Sequence, residues 1–140
     1  DKTPVHREAH ERFGGMDNGC RLCLLRQTVA RIQGELRSRP EYPPLKIALG
    51  VAVPAIEAWY QCGVNSQVNE AAWIRALQAR LYPYTTKSLK QAVYGTDRPS
   101  LLLEKQRATE EALRLSQDFT LLEQLFPGGF GSLIQGVRSW

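Results

Sequence analysis

The strongest constraint on this chain is the order and spacing of four residues near its start. His6 and His10 are the only histidines, and they stand four apart in a stretch, residues 3–13, that reads as a short helix. Thr3 serves as its N-cap, Pro4 sits in the first turn where a missing N–H costs nothing, and Gly14-Gly15 ends it. Cys20 and Cys23, two of the three cysteines, stand three apart at the start of a second helix over residues 20–38. Residues at i and i+4 share a helix face, so both imidazoles project the same way. If the turn over residues 14–19 folds the second helix back antiparallel, His10 comes opposite Cys20 and His6 opposite Cys23. Two imidazoles and two thiolates around one point make the tetrahedral set that zinc accepts at roughly 2.0–2.3 Å. With all four positions filled by protein, such a site is structural, and metal binding contributes directly to folding. Taken singly, a Cys-x-x-Cys also reads as two small buried hydrophobes and a His pair as a solvated face. The closeness of the two pairs favours the metal.

This His-x-x-x-His then Cys-x-x-Cys order, over residues 6–23, resembles the HHCC zinc module at the amino terminus of retroviral integrases. The resemblance implies a zinc site and nothing about integration. Nine residues separate His10 from Cys20, where that family carries a longer insert with its own helix, and no later stretch resembles the integrase catalytic domain. The zinc-protease helix His-Glu-x-x-His is not matched. Arg7 occupies the place of its glutamate, and Glu8 stands one residue further, about 100° round the helix.

The whole chain, 140 residues with 43% apolar composition, suffices for one domain with a real core and no disulfides. An odd cysteine count, with two assigned to metal, points to a reducing intracellular compartment, cytoplasmic or nuclear. Cys62 reads as a buried thiol. The start is polar and charged, unlike a signal peptide. The most apolar window, residues 45–60, is interrupted by Lys46, Pro54 and Glu57, so membrane insertion is not expected.

The formal charge of +4 is concentrated. Between Arg21 and Arg39 lie five arginines and one glutamate, a net of +4, so the remainder sums to zero. That concentration suits phosphate or an acidic surface, although a solvated face is the commoner meaning of such a run.

The periodicity throughout is helical, and the expected fold is all-α, a compact domain of about six or seven helices. Residues 1–38 form the zinc-clipped hairpin, 39–44 a stiff Pro-rich connector, and 45–140 the helical body. In the second helix Leu22, Leu25, Val29, Ile32 and Leu36 make one apolar stripe, and the cysteines fall to its side. Residues 45–61 are apolar nearly all round and predict a buried central helix, kinked or restarted at Pro54. Asn65-Ser66 caps a helix over 67–81, and Thr85 or Thr86 caps one ending at Tyr94, with Gly95 after it. The longest pattern, 99–126, either breaks near Ser116-Gln117-Asp118 or leaves one end protruding to meet another chain. Pro127-Gly128-Gly129 stops it, and Phe130, Leu133, Ile134 and Val137 predict a docking helix in the tail.

Enzymatic constellations are missing. If zinc takes both histidines, no imidazole is left as a general base. There is no phosphate-binding glycine loop and no nucleophile elbow, and Glu110-Glu111 diverge on their helix. The favoured expectation is a non-enzymatic protein-interaction or assembly domain, binding another protein or a second copy of itself. Tyr82 and Tyr84, which ordinary packing would also explain, would contact the partner together with Phe130 and Ile134. The alternative is RNA or DNA binding through Arg21, Arg26, Arg31, Arg37 and Arg39, helped by Lys87 and Lys90. The arginines are scattered round their helix, which favours the first expectation.

Overall fold

A computed structural model describes residues 21–37, 41 and 45–140, and among these it is all-helical with no strand. Seven α-helices follow in order: α1 (Arg21–Arg37), α2 (Glu57–Tyr60), α3 (Glu70–Gln78), α4 (Thr86–Tyr94), α5 (Leu101–Leu115), α6 (Phe119–Leu125) and α7 (Ser132–Arg138). A π-turn, Pro127–Gly131, joins the last two. The amino-terminal half of the expected zinc hairpin and most of the Pro-rich connector lie outside the described residues.

Several helix ends are set by short-range chemistry. Thr85 and Ser88 form a reciprocal capping box at the start of α4, and Gly95 closes it with φ +73°. Ser100 caps α5 and Asp118 caps α6, each accepting the backbone N–H three residues on. The long pattern over 99–126 therefore breaks at 116–118, one of its two expected outcomes.

Helix α3 is shorter than expected, and its cap is Asn69 rather than Asn65-Ser66. The Asn69 side chain accepts from Ala72 N at 2.7 Å, while Asn65 turns its own carbonyl group onto Gln67 N. The far end of α3 carries both bonds of a Schellman motif, Arg80 N to Leu77 O at 3.0 Å and Leu81 N to Ala76 O at 2.8 Å. The left-handed position of that motif is occupied by Arg80, at φ +59°, where glycine is the usual residue.

The largest departure from expectation is the segment before α2. Residues 45–55 carry no regular structure, and only Glu57–Tyr60 is helical where a helix over 45–61 was expected. Gly50 and the β-branched Ile47, Val51 and Val53 weaken a helix, and Pro54 bars Val53 from the helical region. The irregular segment packs against the carboxyl-terminal elements at distances that exclude side chains. A Cβ at Gly129 would lie 2.5 Å from the Val51 carbonyl oxygen, and one at Gly136 would lie 2.9 Å from the Ala48 Cβ. Lys46 Nζ adds a hydrogen bond to the Trp140 carbonyl at 2.7 Å.

The core gathers apolar residues from every element between 53 and 130. Trp59 meets the Phe130 ring edge-on at 5.4 Å, and Phe119 lies 5.7 Å from Phe130 on another side. Trp73, almost fully buried, is flanked by Tyr84 and Tyr82. Leu89, Leu115, Leu122 and Phe126 complete the cluster. Helix α1 contributes a separate small contact, with Leu22 and Cys23 buried against Val51. Its expected stripe is only partly covered: Val29, Ile32 and Leu36 are half-buried and Leu25 is exposed.

Candidate interaction groove

Two of the long-range polar contacts of the body bear on how the site is positioned. Helix α2 has only four residues and cannot hold itself. Its carboxyl-terminal carbonyls are gripped by Arg114 of α5, whose guanidinium donates to Tyr60 O and Cys62 O at 2.7 Å each and to Glu111 Oε2 at 2.7 Å. This is the arginine fork matched to carbonyls left open by a helix end. Separately, the buried carboxylate of Glu70 at the start of α3 accepts the backbone N–H groups of Gly128 and Gly129 at 3.0–3.1 Å. Burial pushes that carboxyl above its ordinary range, against the opposing pull of the Gly129 and Gly128 amides.

With α2 fixed, an open groove of about 280 Å³ forms between α2, α4 and α5. Glu57 and Tyr60 line it from α2, Tyr94 from α4, and Leu101, Glu104 and Ala108 from α5. Ile56 and Lys105, both exposed, complete the lining. Glu57 is only 3% exposed although it lines an open groove. Burial, followed by the charge of the neighbouring Glu57, raises the Tyr94 phenol well above its usual range. Tyr60 is raised likewise, first by burial and then by Glu57. Lys90 donates to Glu104 at 2.7 Å, and that hydrogen bond leads the causes that raise its ammonium. The lining combines the apolar side chains of Leu101 and Ala108 with the polar groups of Glu57, Tyr60, Tyr94 and Glu104. Its phenols are held protonated, and burial likewise keeps the Cys62 thiol above its usual range.

The residues expected from sequence to form sites are distributed as follows. His6, His10 and Cys20 lie outside the described residues. Cys23 is buried at the start of α1, and no group of three or more potential metal ligands exists among the described residues. Of the basic set, Arg39 and the Arg21 side chain lie outside the described residues. Arg26, Arg31 and Arg37 are exposed, with Arg31 lying 3.8 Å from Glu35. Lys87 pairs with Asp97 at 3.0 Å and Lys90 with Glu104, so both ammonium groups are engaged within the chain.

The expected partner contacts divide. Tyr82 is exposed beside Trp73, and Ile134 is half-buried against the core. Tyr84 and Phe130 are instead core residues: Tyr84 stacks on Trp73 and donates to Asn69 O at 3.0 Å, and Phe130 sits between Trp59 and Phe119. They are unavailable as surface contacts because the aromatic cluster needs them. The residues that sequence reasoning passed over are Glu57, Tyr94, Glu104 and Arg114. A glutamate inside an otherwise apolar run is the signal that could have marked Glu57. For Arg114 the nearby Glu111 was no such signal, since the carbonyls that Arg114 grips lie 52 and 54 residues away.

Comparison with models of known families, with curated protein sequences and with solved structures found no match. Among the described residues no helix is long and apolar enough to cross a membrane.

Proposed function

We propose that the chain is a non-enzymatic helical interaction module that binds another protein through the α2/α4/α5 groove, its amino-terminal hairpin closed by a structural zinc held by His6, His10, Cys20 and Cys23. One observation carries the interaction reading. Leu101 and Leu102, at the start of α5, are 67% and 76% exposed, and Leu101 lines the groove. Adjacent exposed large aliphatic side chains beside a depression form an apolar patch of the kind that marks an interaction site. The zinc half of the reading rests on ligand identity and spacing alone.

A photo-crosslinking residue placed at Leu102 tests the interaction. The reading requires a discrete adduct to a protein that mass spectrometry identifies and that binds again when purified. It also requires Leu101→Glu to weaken that binding by tenfold or more, roughly the effect of a charge in an interface core. Absence of an adduct at Leu102, or binding indifferent to Leu101→Glu, overturns it.

The second reading, nucleic-acid binding, draws on the exposure of Arg26, Arg31 and Arg37 along α1. Retention on a generic duplex or single strand that is lost at modest salt would favour it over the protein partner.

A further inference from the structure

We propose that the α2/α4/α5 groove is a socket for one lysine or arginine side chain presented by the partner protein, with the Glu57 carboxylate as its counter-ion. The inference rests on the interaction reading above and names the chemistry of that site.

Glu57 is the observation that carries it. Its side chain is buried, lines the open groove together with Tyr94, and forms no ion pair among the described residues. Lys90, the cation whose field reaches Glu57, is committed to Glu104 at 2.7 Å. A carboxylate largely removed from water and not directly paired with a cation gains from a cation that a ligand brings into contact with it.

The walls fit the rest of such a side chain. Leu101 and Ala108 offer apolar surface to a methylene stem, and the rings of Tyr60 and Tyr94 offer the aromatic surface that attracts ammonium and guanidinium groups. A volume of about 280 Å³ lies below or at the lower limit for a drug-sized ligand and suits one long side chain. Lys105 stands at the mouth, exposed to solvent, where its charge is screened and opposes entry only weakly. A neutral donor could offer Glu57 a hydrogen bond but no charge, and an anion would be repelled.

The full chain is titrated with n-butylguanidinium and n-butylammonium, and with 1-pentanol as a neutral analogue of the same reach, followed by amide chemical shifts. Both cations should give saturable shifts centred on Glu57, Tyr94, Leu101 and Ala108, and the alcohol none of comparable affinity. Glu57→Gln should weaken cation binding roughly tenfold or more, at the lower end of what a close charge pair contributes. Tyr94→Phe, which leaves the carboxylate without its phenol, should bind the cations at least as tightly as the wild type. Equal affinity for alcohol and cation, absence of saturation, or unchanged binding by a folded Glu57→Gln protein each overturn the socket. The comparison of alcohol with cation on the wild type decides the matter even where Glu57→Gln fails to fold. If the Leu102 crosslink forms but the cations do not bind, the socket falls and the interaction reading stands. If the cations bind but no partner crosslinks, the cation site stands and its assignment to a protein side chain falls.

Discussion

Glu70 Oε2 accepts the backbone N–H of Gly129 at 3.1 Å across 59 residues of chain, so one carboxylate at the start of α3 holds the π-turn that launches α7. Removing it leaves the Gly128 and Gly129 amides without their acceptor in a buried place. Glu70→Ala should cost about 2–4 kcal/mol in urea denaturation, the penalty for stranding buried donors. Glu70→Gln keeps one acceptor oxygen and should cost less.

The same residue gives a pH dependence with a definite sign. Its folded-state pKa is raised above the ordinary 4.5, so the native state binds the proton more tightly than the unfolded chain. The stabilisation from that proton is fully present below the unfolded value and is lost as pH rises through the folded value. Measured against Glu70→Gln, which does not titrate, the wild type should stand highest at low pH and lose ground as pH rises above 4.5. A stability difference that grows with pH in that window would contradict the assignment.

Arg114 binds two carbonyls and a carboxylate at once, and lysine cannot reproduce that fork. Both Arg114→Ala and Arg114→Lys should therefore destabilise by about 2 kcal/mol, typical of charge-assisted hydrogen bonds. Both should also perturb the amide shifts of Tyr60 and Cys62. A lysine variant equal to the wild type would show that the charge alone matters.

Two glycines should respond oppositely to alanine. Gly129→Ala places a Cβ 2.5 Å from a backbone oxygen, so the segment must move, at a cost of about 1–3 kcal/mol. Gly34, inside α1, has nothing within 4 Å of its Cβ position, and Gly34→Ala should add up to about 1 kcal/mol through helix propensity. Thermal midpoints of the two variants on either side of the wild type would establish the contrast.

Arg80 occupies the left-handed position of the Schellman motif without being glycine. Arg80→Gly relieves that strain and should stabilise by about 1 kcal/mol. A loss of stability instead would mean that the arginine side chain contributes more than its backbone costs.

The zinc reading makes a separate demand. Elemental analysis should find one zinc per chain, lost in His10→Ala and in Cys20→Ser, and chelation should lower the thermal midpoint. Purified protein without metal, equally stable with and without chelator, would remove the site.

Legibility in the sequence followed the range of the interaction. The cap of α4, narrowed to Thr85 or Thr86, its end at Gly95, and a break near 116–118 as one of two outcomes are legible because caps act over three or four residues, while the reciprocal part played by Ser88 is not. The segment 45–55 was misread because a run that is apolar on all sides is satisfied equally by a buried helix and by an irregular chain pressed on the core. Gly50 and the Val53-Pro54 pair were the local evidence against the helix. Tyr84 and Phe130 look like surface aromatics in a linear reading, and only the convergence of Trp73, Trp59 and Phe119 shows where they go. The groove was the least legible part, since α2, α4 and α5 meet through contacts that no spacing encodes.

The backbone-on-backbone seam between 48–51 and 129–136 also bears on ancestry. A groove can change its lining whenever its partner changes, but a place with room only for hydrogen cannot drift one substitution at a time. Diverged cousins of this chain should therefore betray themselves by glycine at the positions of Gly129 and Gly136, set beside an irregular stretch that ends in proline. A search keyed to that trio of marks, rather than to overall likeness, is the way to find them.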